Sequence, residues 1–201
     1  MIDVLHDLSE WVVGFASSDW AVLVLAITAF AESIFFPIPP DPLLVGVALA
    51  QQSLALWLAL LVTVSSVAGA VVGHWIGGKL GRPVLMRLFS EEVVALAERW
   101  LERYGMWATL LAAFTPIPYK VFAISAGVLQ LDRRTFVLAS LVGRGVRFLT
   151  IGVLVMIFGQ EIERFMAENF ELATVVVGLI LVVGVGAWVF WHRRRARGAS
   201  R

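Results

Sequence analysis

The stretch FPIPPDPLLVGVALAQ, Phe36 to Gln51, interrupts a long apolar run with four prolines and an aspartate. Shifted by 79 residues it falls on TPIPYKVFAISAGVLQ, Thr115 to Gln130. Pro37, Pro39 and Gln51 then meet Pro116, Pro118 and Gln130, while Asp41 meets Lys120. Six of the seven prolines, Pro37, Pro39, Pro40, Pro42, Pro116 and Pro118, lie in these two places. Proline has no N–H to donate and its ring clashes with the preceding turn, so neither cluster can sit inside a continuous helix. Each region reads as helix, break, helix, and the same device occurs twice with opposite charge.

Outward from that pair, the 201-residue chain is 60% hydrophobic and only 15% charged, with a mean hydropathy of +0.87. An ordinary soluble domain carries about 25% charged residues, so the composition is that of an integral membrane protein. Zero cysteines exclude disulfides, thiolate metal sites and cysteine nucleophiles. The acidic first twenty residues lack the basic leader of a cleavable signal peptide. No Walker loop, dinucleotide fingerprint or GxSxG elbow is present. His6, His74 and His192 have no metal-ligand spacing, so no metal and no cofactor is expected, and His74 reads as a packed or hydrogen-bonded residue. The chain is not expected to be an enzyme.

A hydrocarbon core of about 30 Å needs about 20 apolar residues per helical crossing. Leu54 to Gly78, Phe136 to Gly159 and Leu172 to Trp191 qualify. Trp20 to Ala50 and Met106 to Leu131 are long enough to enter but are split by the prolines. The arm Ala21 to Phe36 spans roughly 24 Å and Leu43 to Ala50 about half that, which fits a re-entrant hairpin better than two crossings. Broken backbone at membrane depth persists only where it is buried in protein or lines a wet cavity. Charge sets the orientation, because cytoplasmic flanks are enriched in lysine and arginine. With the tail HRRRARGASR inside, twelve basic residues from Lys79 to Arg201 fall on the inner side and Arg164 alone on the outer. The first hairpin then enters from outside and the second from inside, the inverted-repeat logic of secondary transporters.

The expected fold is therefore an all-α polytopic membrane protein, an inverted repeat of two re-entrant helical hairpins each followed by a transmembrane helix. Its parts are an N-terminal interfacial segment (1–19), a transmembrane domain (20–159) and a C-terminal transmembrane helix (172–191) with a basic cytoplasmic tail (192–201). Within the domain come hairpin 20–50, span 54–78, interfacial helix 90–104, hairpin 106–131 and span 136–159. The surface helix SEEVVALAERWLERY places Val93, Ala97, Trp100, Leu101 and Tyr104 at helical spacing behind Ser90 as N-cap. Gly69, Gly73, Gly77 and Gly81 recur every four residues, a stripe for close helix packing.

Five ionisable residues sit at membrane depth: Glu32, Asp41, Lys120, Arg144 and Arg147. A charge there costs on the order of 3 kcal/mol or more, which marks each as a functional candidate. Asp41 precedes Pro42 and an apolar run, the pattern of an N-cap with proline at the first helical position. Glu32 could be neutralised by a structural arginine and Lys120 could snorkel towards the cytoplasm. The repeat offset suggests that Asp41 and Lys120 face each other. Arg144 and Arg147 share a helical face, and guanidinium groups at midplane suit forked phosphate contacts.

The combination of ESIFFPIPPD (Glu32 to Asp41), the glycine stripe, FTPIPYKVFAISAGVL (Phe114 to Leu129) and a following helix with embedded arginine resembles the DedA family, also called the SNARE-associated or VTT-domain family, in its YqaA-like branch. The resemblance covers roughly Trp20 to Gly159. It implies two opposed re-entrant hairpins, residence in the bacterial inner membrane and movement of lipids, with undecaprenyl phosphate or a phospholipid head group as substrate. Glu32 and Asp41 match the family's membrane acids and are the proton-coupling candidates. Typical members carry arginines where this chain has Ala113 and Tyr119. The substrate-binding candidates are accordingly Lys120, Arg144, Arg147 and Tyr119. Partners are membrane lipids, an anionic lipid phosphate and protons, with a homo-oligomer left open and no nucleic acid. The competing reading is a non-transporting membrane scaffold or assembly factor for envelope maintenance, recruiting a partner through the Ser90 to Tyr104 helix or the basic tail.

Overall fold

The computed structural model describes residues 18–35, 38–114 and 119–168. The N-terminal segment to residue 17, Pro37, Pro116, Pro118, the span Leu172–Trp191 and the basic tail lie outside the described residues. The chain divides into two compact units, Met1–Ile157 and Phe158–Arg201. The candidate site belongs to the first, and the second is described only as the end of one long helix.

All regular structure among the described residues is helical. The first proline cluster separates α1 (Asp19–Glu32) from α2 (Asp41–Ala50), and the second separates α6 (Met106–Phe114) from α7 (Tyr119–Val128). A 3₁₀ turn at Gln52–Leu54 leads from α2 into α3 (Ala55–Leu80). Two shorter helices follow, α4 (Arg82–Leu88) and α5 (Glu91–Tyr104), and α8 (Arg133–Glu168) closes the series. Gln52–Leu80 and Arg133–Glu161 are each long and apolar enough to cross a membrane. Their outward faces carry large apolar side chains, among them Trp57, Val64, Trp75, Leu138 and Val142. The protein is an all-α, largely membrane-embedded helical bundle.

Local chemistry accounts for the boundaries. Pro40 precedes α2, whose first closing bond runs from the Leu44 N–H to the Pro40 carbonyl at 2.8 Å. Asp41 is the first residue of that helix, where the sequence pattern had placed it as the cap. The cap position itself is Pro40, and the Asp41 carboxylate accepts from Arg147 of the last long helix. Gly81 ends α3 at φ 68°, a conformation open to glycine without a Cβ penalty, and Pro83 then sits in the first turn of α4. That short helix lies between the expected span and the expected interfacial helix, where the sequence pattern predicts no element. Asp132 caps α8, its Oδ2 accepting the Thr135 backbone N–H at 2.8 Å and the Thr135 hydroxyl at 2.7 Å. The helix that carries the expected span Phe136 to Gly159 therefore starts three residues earlier and runs on to Glu168.

Two apolar clusters form the core. One joins α1, α2 and the first half of α3 around Leu25, Leu44, Val47 and Val62, with Phe148 from α8. The other joins α4, α5 and α7 around Leu85, Leu101, Phe122 and Ile124, with Phe136 from α8. The glycine stripe does what close packing requires. A Cβ on Gly69 would lie 2.2 Å from the Phe30 carbonyl oxygen of α1, and one on Gly77 2.0 Å from that of Ile124 in α7. Helix α3 is thus gripped at one stripe by an arm of each broken pair. His74, on the same helix, places Nε2 3.1 Å from the Leu131 carbonyl and stacks at 4.9 Å on Phe136, the hydrogen-bonded role expected of it.

The α5 face differs from expectation in detail. Val94, Ala97 and Leu101 are the buried positions, Val93 and Trp100 are partly buried, and Tyr104 is exposed. Ser90 stands at the N-cap position without a side-chain capping bond. Trp100 meets Phe122 of α7 edge-on at 6.4 Å, so the apolar face of α5 packs on protein.

Candidate functional site

The chain brings its membrane-depth charges together where the two ends of the first break meet α8. Glu32 closes α1 and Asp41 opens α2, so the acids flank the break that Pro37 to Pro40 impose. Three residues apart on α8, Arg144 and Arg147 point the same way and take one acid each. Arg144 Nη2 donates to Glu32 Oε2 at 3.1 Å. Arg147 forms a fork, Nε to Asp41 Oδ1 and Nη2 to Asp41 Oδ2, both at 2.9 Å. Two nearly parallel bonds from a planar guanidinium are the strongest contact such a pair can make.

This replaces the expected pairing of Asp41 with Lys120. Arg147 occupies both Asp41 oxygens, whereas Lys120, half-buried at the start of α7, interacts electrostatically with Glu32 and Arg144. Equal places in the two stretches do not make the residues partners: Asp41 is held by Arg147 of α8, whereas Lys120 is attracted to Glu32 of α1 and repelled by Arg144.

The pairs differ in environment. Arg144 and Glu32 side chains are 3% and 14% exposed, while Arg147 and Asp41 are 32% and 21%. Arg144 is also stacked, its guanidinium carbon 4.3 Å from the Tyr119 ring centre and 5.7 Å from that of Phe148. Its Nε is buried with no hydrogen-bond partner among the described residues. Tyr119 is itself fixed, donating its hydroxyl to Ser140 Oγ, which donates to the Phe136 carbonyl at 2.7 Å. Sequence reasoning missed Ser140 and Phe148, although a signal existed. Phe136, Ser140, Arg144 and Phe148 recur every four residues and form one buried face of α8.

Beside the site, Ser33 continues the α1 chain past Glu32, bonding the Ala29 carbonyl at 3.1 Å and Ser66 Oγ of α3 at 2.8 Å. Glu32 is therefore held from its own helix end. Among the described residues no group of three or more His, Cys, Asp or Glu side chains is placed to hold a metal ion.

Comparison with known proteins adds to this geometry. The VTT domain matches residues 38–158, a stretch that includes Asp41, Lys120 and both arginines. A Haemophilus influenzae protein is 31% identical over 173 residues, 82% of this chain and 87% of its own length. A Methanocaldococcus jannaschii protein is 27% identical over 130 residues, 64% of this chain and 80% of its own. The Bacillus subtilis membrane protein YbfM is 25% identical over 146 residues, 67% of this chain and 90% of its own. No solved structure matches.

Proposed function

Since the chain belongs to the VTT-domain family of membrane proteins, we propose that it moves a lipid phosphate across the membrane, the head group passing the charged site while the tails stay in lipid. One observation carries the reading: three cations, Lys120, Arg144 and Arg147, gather on two acids at the first helix break. The cluster is net positive with both acids ionised and more so when either is protonated. An anionic head group is the ligand that balances it, and coupling to protons through Glu32 or Asp41 follows.

In this reading α1–α2 and α6–α7 are re-entrant hairpins entering from opposite faces, α3 and α8 are the following spans, and residues 20–159 make up the transport domain. The repeated placement of a proline break before each long helix supports that arrangement. The absence of natural cysteine makes it directly testable by single introduced cysteines and an impermeant thiol reagent. Labelling at Ser90 from the inside and at Gln52 from the outside is expected; labelling of both from one side removes the inverted repeat.

The scaffold reading has less support, because Val94, Ala97 and Leu101 of α5 are buried within the protein and leave only the polar side of that helix for a partner. The deciding experiment is flipping of fluorescent phosphate lipids by the purified protein in liposomes, with and without a proton gradient. Wild type is expected to flip, Glu32→Gln and Asp41→Asn to flip without responding to the gradient. No flipping by folded wild type ends the transport reading.

A further inference from the structure

Within one site the structure builds two arginine–carboxylate pairs of different character, and that inequality bears on how a ligand would enter. Arg144 cannot leave Glu32 cheaply. It is sealed from solvent, stacked on Tyr119 and Phe148, and a guanidinium stranded there would be a buried charge without its partner. Arg147 is about one-third exposed and Asp41 about one-fifth, so this pair, unlike the other, has open surface at which a ligand can reach it. The fork that Arg147 presents to the two Asp41 oxygens is also the geometry in which a guanidinium binds two oxygens of a phosphate.

We infer that the Asp41–Arg147 fork is the exchangeable contact of the site: a phosphate oxyanion replaces the Asp41 carboxylate on Arg147 while Arg144 stays clamped to Glu32. No covalent bond changes; one oxyanion leaves the guanidinium and another takes its place. Tyr119 then acts by holding Arg144 rather than by touching the ligand. Its hydroxyl is committed to Ser140 and its ring face to the guanidinium, so it is a positioning residue. The inference rests on the transport reading for its ligand class, a phosphate monoester, and on geometry alone for which arginine binds it.

Arginine modification by phenylglyoxal, mapped by mass spectrometry on the full chain in non-ionic detergent, tests it with dodecyl phosphate and inorganic phosphate as probes. In wild type, phosphate is expected to slow modification of Arg147, with Arg144 unreactive throughout. Asp41→Asn removes the competing carboxylate charge and should lower the concentration needed for half protection by about ten-fold, the worth of one charge-assisted bond. Glu32→Gln, which neutralises the neighbouring pair and leaves the competing carboxylate on Arg147, should lower that concentration by less than Asp41→Asn does. Tyr119→Phe should keep Arg144 unreactive, and Tyr119→Leu should expose it. Dodecyl phosphate acting at lower concentration than inorganic phosphate assigns a lipid head group as the source, and equal potency assigns the free anion. Protection of Arg144 instead of Arg147, or no protection at all in wild type, overturns the exchange. So does an Asp41→Asn protein, verified as folded, that protects no better than wild type. Where that variant does not fold, the wild-type protection pattern decides alone. The two readings fail separately. Arg147 protection without lipid flipping removes transport and leaves the exchange standing, and flipping without Arg147 protection does the reverse.

Discussion

The two proline-broken helix pairs share a sequence device but are held in place by different forces. In the second, α7 is a core helix: Tyr119 and Val121 through Gly127 are all buried, with Lys120 half-buried among them. In the first, α2 buries only Leu44, Val47 and Ala48, and its leading residue is tied by charge to Arg147. Apolar contact fixes the second arm through many neighbours at once. The first hangs on fewer, more exchangeable contacts. Packed cores deform little and ion pairs near solvent exchange readily, so the difference makes α7 the fixed wall of the site and α2 the adjustable one.

Glycine substitutions would break that comparison most sharply. A Cβ on Gly127 of α7 would stand 1.9 Å from the His74 carbonyl oxygen and 2.7 Å from its carbon, both backbone atoms of α3 that no rotamer change can clear. Gly127→Ala is expected to force the helices apart at a cost of about 3 kcal/mol or more, at the upper end of overpacking effects. Gly46 of α2 has nothing within 4 Å of its would-be Cβ. Gly46→Ala should be neutral or stabilising by up to about 1 kcal/mol through helix propensity alone. Thermal unfolding in detergent, followed by circular dichroism, checks both. Equal losses would mean that α2 is packed as tightly as α7.

The ion pairs give the next largest contrast. Arg144→Met leaves Glu32 in a sealed site with only half-buried Lys120 to offset its charge, and an expected loss of about 3 kcal/mol. Arg147→Met leaves Asp41 in the more open of the two sites, and about 1 to 2 kcal/mol is expected for the lost charge-assisted bonds. Denaturation midpoints of the two proteins rank them. An Arg147 variant as unstable as the Arg144 variant would contradict the division into clamp and exchangeable contact.

Much of this was legible beforehand for identifiable reasons. Proline breaks follow from a missing donor and a ring clash, which no tertiary contact undoes, so the helix–break–helix pattern could be read from PIPPDP and PIP alone. The glycine stripe announced close packing through its period of four, yet which helix meets each glycine, α1 at Gly69 and α7 at Gly77, is decided by the tertiary fold. Partner choice among charges was not legible. Asp41 lies 106 positions from Arg147, and nothing local distinguishes that arginine from Lys120 as its partner. The repeat offset pointed to Lys120 because it records likeness of sequence position, which is a different thing from contact.

The repeated glutamines, Gln51 and Gln130, sharpen the comparison at smaller scale. Gln130 follows α7 at φ 53°, and the end is closed by Leu131 N–H to the Ala126 carbonyl at 2.9 Å and Gln130 N–H to that of Gly127 at 3.0 Å. This is a Schellman closure with a side-chain-bearing residue in the left-handed position, where glycine is preferred. Its counterpart Gln51 has φ −133° and enters a 3₁₀ turn. Gln130→Gly is expected to stabilise by up to about 1 kcal/mol, the left-handed penalty less the entropy that glycine adds to the unfolded chain. Gln51→Gly relieves no strain and should destabilise by roughly 0.5 kcal/mol. Opposite signs in the two unfolding midpoints support the assignment; the same sign contradicts it.

The smallest effect concerns how the two long helices begin. Leu54 precedes α3 with no side-chain cap, whereas Asp132, 78 positions later, caps α8 through Thr135. The Thr135 backbone N–H and hydroxyl hold the exposed Asp132 carboxyl below the usual carboxylate range, with Arg134 adding to them. A folded-state value below the unfolded one means that the cap stabilises above the ordinary aspartate pKa of about 3.9 and loses that contribution as pH falls through the lower, folded value. Unfolding midpoints measured between pH 7 and pH 3 should therefore drop slightly more for wild type than for Asp132→Asn, which keeps an accepting oxygen without a titrating charge. Asp132→Ala should show the lower midpoint at neutral pH and converge on wild type in acid, because only the ionised cap is lost there. Parallel pH curves for wild type and Asp132→Asn would mean that Thr135 holds the carboxylate no better in the folded chain than water does in the unfolded one, and that α8, like α3, starts without electrostatic help.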